Sequence, residues 1–312
     1  MERERAETGE IADVITVFLT GRECPWRCAM CDLWRYTTEG DTPPGAIPHQ
    51  IREALRLVAP QLDQDRALRL GASGLAQGRH IKLYNAGSFF DARAVPPDDY
   101  PAIAAAVAGF SRVIVESHPA LIGPRLDEWL EALAAEAFDA APRLEVAMGL
   151  ETAHPDALER LNKRMTIEQF RHAAAELRRR DVALRVFVLV SPPFVPASEQ
   201  PEWLRRSVDV AFECGASAVS LIPMRTGNGT VEALAADGPY CSPTLDVVED
   251  AMDAALGRAR GRVFADLWDL ERLAPCEACF DQRKARLMSM NLTQQLVARV
   301  PCHACSPEEV RA

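Results

Sequence analysis

The run Ile15-Thr16-Val17-Phe18-Leu19-Thr20 leads, after three residues, into Cys24-Pro25-Trp26-Arg27-Cys28-Ala29-Met30-Cys31. The first stretch is apolar and β-branched, as a strand requires. The second is a tight loop with CxxxCxxC spacing directly behind that strand. Such a loop brings three thiolates to three corners of a [4Fe–4S] cubane and leaves the fourth iron without a protein ligand. A structural zinc needs a fourth ligand close by, and the next histidine is His49. The open cluster is therefore the reading preferred for Cys24, Cys28 and Cys31.

Outward from this loop the pattern repeats. Short, continuous apolar runs recur at Ile81–Asn85, Arg112–Glu116, Leu144–Leu150, Leu184–Val190 and Ala218–Pro223. Runs of this kind suit parallel strands covered on both faces. Between them lie helical patterns. Pro48 fits a first turn, with Ile51, Leu55 and Val58 on one face. Thr166 and Gln169 form a capping box ahead of Ile167, Phe170, Ala174 and Leu177. Asp98 or Asp99 is the expected cap of a helix carrying Ile103 and Val107, and Leu245 to Leu256 is a further periodic stretch. Gly71–Gly78 reads as an irregular excursion within the first connection. Strand–helix alternation implies right-handed crossovers and a parallel sheet. Six such units predict an α/β fold, a partial (open) parallel β/α barrel over residues 12–262. Val263 to Leu270 is a candidate extra strand at the start of a small C-terminal metal-binding extension, 263–312.

Motif and strand order together resemble the radical S-adenosylmethionine (SAM) superfamily over about residues 12 to 260. That resemblance implies SAM on the open iron, its reductive cleavage, and a 5′-deoxyadenosyl radical that takes hydrogen from substrate. It also implies site residues. Met30 lies where the family places an aromatic residue by the adenine. Asn85-Ala86-Gly87-Ser88 ends the second strand where relatives carry Gly-Gly-Glu for the SAM amino group, so Ser88 replaces a carboxylate. Glu151, closing Gly149-Leu150-Glu151, is expected at the ribose hydroxyls, with Glu116 the alternative. Lys163, within Asn162-Lys163-Arg164, is expected at the SAM carboxylate, against a bland reading as a solvated helix charge. The nearest echoes are of the elongator-type and archaeosine-synthase branch: Lys82 to Asp91, Glu116-Ser117-His118-Pro119, Gly149 to Thr152, Ser191-Pro192-Pro193-Phe194 and Gly238-Pro239-Tyr240. Partners implied are an electron donor such as flavodoxin or ferredoxin and an unidentified substrate, a modified nucleic-acid base being one candidate. Ser117, His118, Ser191, Arg225 and Asn228 are candidates to line the substrate site.

A second constellation closes the chain. Cys276-Glu277-Ala278-Cys279 and Cys302-His303-Ala304-Cys305 are paired CxxC knuckles with 22 residues between them. Four thiolates suit either a closed tetrahedral zinc or an auxiliary iron–sulfur cluster, with zinc slightly preferred and a helix expected between the knuckles. The two remaining cysteines, Cys214 and Cys241, read as small buried apolar residues.

Composition sets the outer bounds. The 312 residues carry a formal charge of −10, which gives no support to whole-surface attraction to nucleic acid or anionic lipid. The nine cysteines form an odd count, and no export-type segment follows Met1, so metal ligation in the cytoplasm is expected over a disulfide framework. No apolar run is long enough for a membrane span. A radical enzyme is thus the leading expectation. The alternative is a non-catalytic iron–sulfur or zinc protein acting as an electron carrier or nucleic-acid binder. No His-Glu-x-x-His or phosphate-cradling Gly-x-x-x-x-Gly-Lys loop supports other chemistries.

Overall fold

The computed structural model describes residues 2–69, 79–137, 140–238 and 240–305, the side chains of 60–69 excepted. The expected excursion at Gly71–Gly78 and the residue Pro239 lie outside these residues. Among the described residues, eight strands form one sheet in chain order. They are β1 (Glu2–Arg5), β2 (Ile11–Leu19), β3 (Arg79–Asn85), β4 (Arg112–Glu116), β5 (Arg143–Glu151), β6 (Ala183–Val190), β7 (Ala218–Pro223) and β8 (Arg262–Ala265). β1 is antiparallel to β2, and every later pairing is parallel. The six expected strands are all present, with small shifts at their ends. The sheet extends beyond them by β8 on one edge and the β1 hairpin arm on the other.

Helices alternate with the strands: α1 (Ala46–Arg69), α2 (Tyr100–Val107), α3 (Pro124–Ala135), α4 (Pro155–Arg160), α5 (Ile167–Arg179), α6 (Gln200–Glu213), α7 (Thr230–Ala236), α8 (Leu245–Leu256) and α9 (Glu277–Thr293), the last lying against both edge strands, β1 and β8. The capping box of α5 forms in both directions, Gln169 N–H to Thr166 Oγ1 at 3.2 Å and Thr166 N–H to Gln169 Oε1 at 2.9 Å. Asp99 departs from its expected role. The chain enters α2 through a 3-10 turn, and the Asp99 carboxylate accepts the Gly45 amide at 2.8 Å instead of capping its own helix. No helix among the described residues is long and apolar enough to cross a membrane.

The sheet curls into a nearly closed barrel, and buried charges tie its walls together at the end where the parallel strands begin. Glu145 on β5 is fully buried. It accepts from Arg112 on β4 at 2.9 Å, Arg185 on β6 at 2.6 Å and Arg262 on β8 at 3.1 Å. β8 stands three strands away from β5, so that last contact crosses the interior. Arg185 also reaches Glu4 on β1 at 2.9 Å, and Lys82 on β3 bonds Glu2 at 2.7 Å and Glu4 as well. Burial alone would raise the Glu4 carboxyl, but Arg185 and Lys82 outweigh it and hold it down at about 2. Glu145 is likewise held far below the usual carboxylate range by its three arginines against the effect of burial.

A folded-state pKa below the unfolded value contributes stability that is complete above the unfolded pKa and disappears as pH falls through the folded one. For Glu4 that window runs from about 4.5 down to about 2. Removing one member of a buried ion cluster leaves its partners uncompensated, at about 3–5 kcal/mol. Glu145→Gln is therefore expected to destabilise the barrel by about that amount at neutral pH, read by urea unfolding. An unchanged midpoint would show that the cluster is dispensable.

Candidate functional site

At the opposite end, where the parallel strands finish, the cysteine loop leaves β2. Its backbone is held from two directions. Asn162, in the turn after α4, donates its side-chain amide to the carbonyls of Trp26 at 3.0 Å and Arg27 at 3.1 Å, and Ala29 N–H donates to Leu161 at 2.9 Å. From the loop after β7, Asn228 donates to the carbonyls of Ala29 at 2.7 Å and Cys31 at 3.4 Å. Trp26 stacks face to face on His118 with ring centroids 3.9 Å apart and planes 10° from parallel. The His118 tautomer follows from its neighbours. Nδ1 accepts from Ala120 N–H at 3.1 Å, so Nε2 carries the hydrogen and donates to the Lys163 carbonyl at 2.9 Å. Burial pushes its pKa down to about 4, aided by the Lys163 ammonium, which keeps the ring neutral.

The three thiols are partly covered and desolvated. Burial pushes Cys28 up to about 12 and Cys31 up to about 11, and raises Cys24 as well. As thiolates they need a cationic partner, such as a metal centre. The donor set fits an iron–sulfur cluster: three sulfurs on one clamped loop, with a lysine and two carboxylates facing them.

Lys163 is the centre of that group. Its ammonium is 2.6 Å from Glu151 Oε1, and both side chains are almost fully covered. Burial would lower the Lys163 pKa, but Glu151, with Cys28, raises it above the normal value. It is no solvated helix charge. The pair lies directly over Gly149, where an added Cβ would come within 2.0 Å of Glu151 Oε1 and 2.5 Å of Lys163 Nζ. Only glycine leaves room for it. Glu151 itself sits at φ 65°, just beyond an irregularity in the β5–β6 register, with Asn162 and Arg164 at φ 56° and 52°. Left-handed backbone at non-glycine residues is uncommon and gathers where surrounding structure fixes a side chain for function. Glu116, at the end of β4, is pushed up to about 7 by burial and the nearby Glu151, against the pull of Lys163.

The other expected site residues are distributed differently. Met30 packs against an apolar group of Leu161, Leu189, Met224, Val231 and Tyr240. Asn85 shares the outer face of β3 with Ile81 and Leu83, opposite Lys82 and Tyr84. Its amide is buried, with no hydrogen-bond partner on either Oδ1 or Nδ2. Gly87 is packed against Ala94 and the Arg22 carbonyl, so the Ala86–Gly87 turn sits close to the cysteine loop's entry. Ser88 is buried, and its hydroxyl accepts the His118 amide at 2.9 Å. Ser117 is buried beside it, and Ser191 follows β6 at φ 57°. Phe18 lies on the inner face of β2 opposite Tyr84 yet is 69% exposed, so the barrel is open to solvent at this mouth.

Among the described residues the tail cysteines are the group of ligand atoms that the fold gathers. The Sγ atoms of Cys276, Cys279, Cys302 and Cys305 all lie within 4.8 Å of one another, whereas Cys24, Cys28 and Cys31 share one loop without meeting that closeness. Cys276 to Cys302 is 3.9 Å and Cys279 to Cys305 is 3.7 Å. The helix between the knuckles starts earlier than expected: α9 begins at Glu277, inside the first knuckle, and ends at Thr293. It is held to α8 by Arg283 and Arg286 on the buried Glu249 at 2.7 and 3.3 Å, and Arg299, beyond the helix, reaches the same carboxylate at 3.2 Å. Of the two isolated cysteines, Cys214 is buried as expected, whereas Cys241 is exposed.

No known family's sequence profile matches the chain. Archaeosine synthase subunit beta of Methanosarcina acetivorans is 28% identical over 69% of this chain and 63% of its own length. An uncharacterized protein of Methanocaldococcus jannaschii is 25% identical over 71% of this chain and 62% of its own. The chain thus spans less than two thirds of the curated relatives it matches. Among solved structures, Elp3 of Methanocaldococcus infernus aligns at TM-score 0.56 and 12% identity, covering 94% of this chain and 66% of that one. Methylornithine synthase (PylB) aligns at TM-score 0.54 and 11% identity, covering 96% and 77%. The fold is the one these enzymes share. The resemblance to radical SAM enzymes of the elongator and archaeosine-synthase branch stands.

Proposed function

We propose that this chain is a radical SAM enzyme whose open-site cluster is held by Cys24, Cys28 and Cys31. The observation that carries the reading is the buried Lys163–Glu151 pair seated over Gly149 and facing the clamped cysteine loop. Bound there, cluster and SAM together supply a one-electron cleavage that yields a 5′-deoxyadenosyl radical for hydrogen abstraction. The chain's own residues position and shield. Asn162 and Asn228 fix the loop, and Trp26 on His118 closes one side of it. Lys163 offers an ammonium to the SAM carboxylate, and Glu151 a carboxylate to the ribose hydroxyls. Met30 lies toward the adenine, and the backbone of Asn85 to Ser88 toward the amino group. Glu116 stands in reserve as a second carboxylate. The electron comes from a donor such as flavodoxin or ferredoxin.

The test is direct. Anaerobically reconstituted protein, given dithionite and SAM, is expected to form 5′-deoxyadenosine. No cleavage despite a complete [4Fe–4S] cluster would overturn the proposal in favour of a non-catalytic metal protein. Glu151→Gln is expected to weaken SAM binding by about 1–3 kcal/mol, the cost of a hydrogen bond to a charged group, while the cluster stays intact. Gly149→Ala acts on the same pair by steric displacement and is expected to move affinity in the same direction. SAM affinity unchanged in both variants would shift the ribose contact to Glu116.

We propose a zinc ion for Cys276, Cys279, Cys302 and Cys305, rather than an auxiliary cluster. Zn–S bonds of about 2.3 Å give a sulfur tetrahedron with edges of about 3.8 Å. The two sulfur pairs at 3.9 and 3.7 Å match that edge. In a cubane each thiolate binds a different iron, which holds the sulfurs farther apart.

A further inference from the structure

A second cleft, of about 390 Å³, opens on the same end of the barrel, between the loop after β7, the start of α8 and the turn leading into Cys276. Its wall carries two guanidinium groups, Arg225 and Arg272, the hydroxyl residues Thr226, Ser242 and Thr244, and no acidic residue. Arg225 is held in place from behind. One terminal nitrogen pairs with Asp266 at 2.9 Å and the other donates to the Trp268 carbonyl. Its Nε is buried and has no hydrogen-bond partner. Arg272 is loosely engaged, 3.5 Å from the Thr226 hydroxyl and 3.7 Å from Asp269, and its side chain is more than half exposed. The Thr244 hydroxyl makes no cap bond to α8, although the residue stands at the helix start. Met224, Leu273 and Pro275 complete the wall with apolar surface.

From this arrangement we infer that the cleft binds a small organic anion, its carboxylate or phosphate on Arg225 and Arg272 and its carbon frame against the apolar wall. A guanidinium pre-oriented by Asp266 and the Trp268 carbonyl, beside the more exposed guanidinium of Arg272, is suited to planar or tetrahedral oxyanions, and hydroxyls complete the hydrogen bonding. The loop that supplies Arg225 and Thr226 also supplies Asn228, which bonds the carbonyls of Ala29 and Cys31. A ligand in the cleft therefore touches the segment that clamps the cysteine loop. Resting on the proposed function, the anion is the charged end of the substrate, anchored beside the cofactor site.

The experiment is calorimetric titration of the full chain with inorganic phosphate and, separately, with acetate, which distinguishes the two oxyanion sources. Saturable binding of one of them is expected. Arg272→Gln should weaken it at least fivefold and Arg225→Lys more, while Arg258→Gln, on a remote exposed arginine, leaves it unchanged. Arg272 is exposed, so its variant is expected to melt as the wild type does. The Cys24/Cys28/Cys31 triple alanine variant should keep the binding, which separates this inference from the radical chemistry. Absence of saturable binding by both anions, or wild-type affinity in both arginine variants, would overturn it. Binding without SAM cleavage would leave the cleft intact and remove only its assignment to a radical substrate.

Discussion

Cys28→Ala is expected to abolish the [4Fe–4S] cluster and, with it, all cleavage of SAM. The residue sits centrally in the loop, with Lys163 and Glu151 as its nearest charged groups. Its thiol is desolvated strongly enough to stay protonated at neutral pH unless a metal takes it as thiolate. Losing one of three ligands leaves two iron corners open instead of one, and such a cluster is lost to solvent. The loop itself should stay in place, because its backbone is held by Asn162, Asn228 and Leu161, none of which depends on the sulfur. The variant should therefore fold with a wild-type melting profile while losing the cluster's visible absorption after anaerobic reconstitution. Cys24→Ala and Cys31→Ala should behave alike. Undiminished cleavage in the triple variant would sink the assignment.

The sequence made the barrel legible through its strands, because each parallel strand is a continuous apolar run. Arg112–Glu116 and Ala218–Pro223 appear with the same ends in both readings. What it concealed was the interior of the barrel. Lys82, Arg112, Glu145, Arg185 and Arg262 each interrupt or open an apolar run with a charge. One by one they look like strand ends meeting water. Only when the sheet curls do they become a single buried cluster, and only then is β1, too polar to read as a strand, drawn in by its carboxylates. β8 was partly visible, but its short length gave no periodicity to count.

The site was legible to the same uneven degree. Cysteine spacing marks both thiol groups, since ligand geometry is local. The pairing of Lys163 with Glu151 is not local: it depends on a turn after α4 folding back over Gly149. The sequence offered each residue separately and left Lys163 balanced against a surface charge. His118 was visible only as a candidate for the substrate site, and its stacking on Trp26 carried no signal, because stacking between two loops has no spacing rule. Ser88 and Asn85 show the opposite case. Their positions are as read, but one hydroxyl is used to hold His118 and one side chain faces away from the barrel interior.

Metal analysis of the protein lacking Cys24, Cys28 and Cys31 is expected to return about one zinc per chain. The four tail thiols cannot all ionise unaided. Backbone amides, led by that of Cys305, push Cys302 down to about 7, but neighbouring sulfurs push Cys305 up to about 12. A dication resolves that conflict, so zinc uptake should release protons and weaken as pH falls. The segment it holds is small. α9 is anchored without it by Arg283 and Arg286 on Glu249, Arg299 beyond the helix is pinned to the same carboxylate, and β8 pairs with β7 in the sheet. Between Gln294 and Cys305 the chain also docks through Arg286, whose Nε donates to the carbonyls of Val297 and Ala298 at 2.9 and 3.1 Å. Stripping the zinc with a chelator should therefore open the stretch from Val300 to Cys305, beyond the pinned Arg299, to protease first, while α9 stays protected and the barrel keeps its melting temperature. Cys302→Ser should reproduce that pattern without chelator. Four irons and a brown spectrum in the triple variant would instead identify an auxiliary cluster. Its sulfurs would then have to move apart from the 3.7 and 3.9 Å separations that now match a single tetrahedral ion.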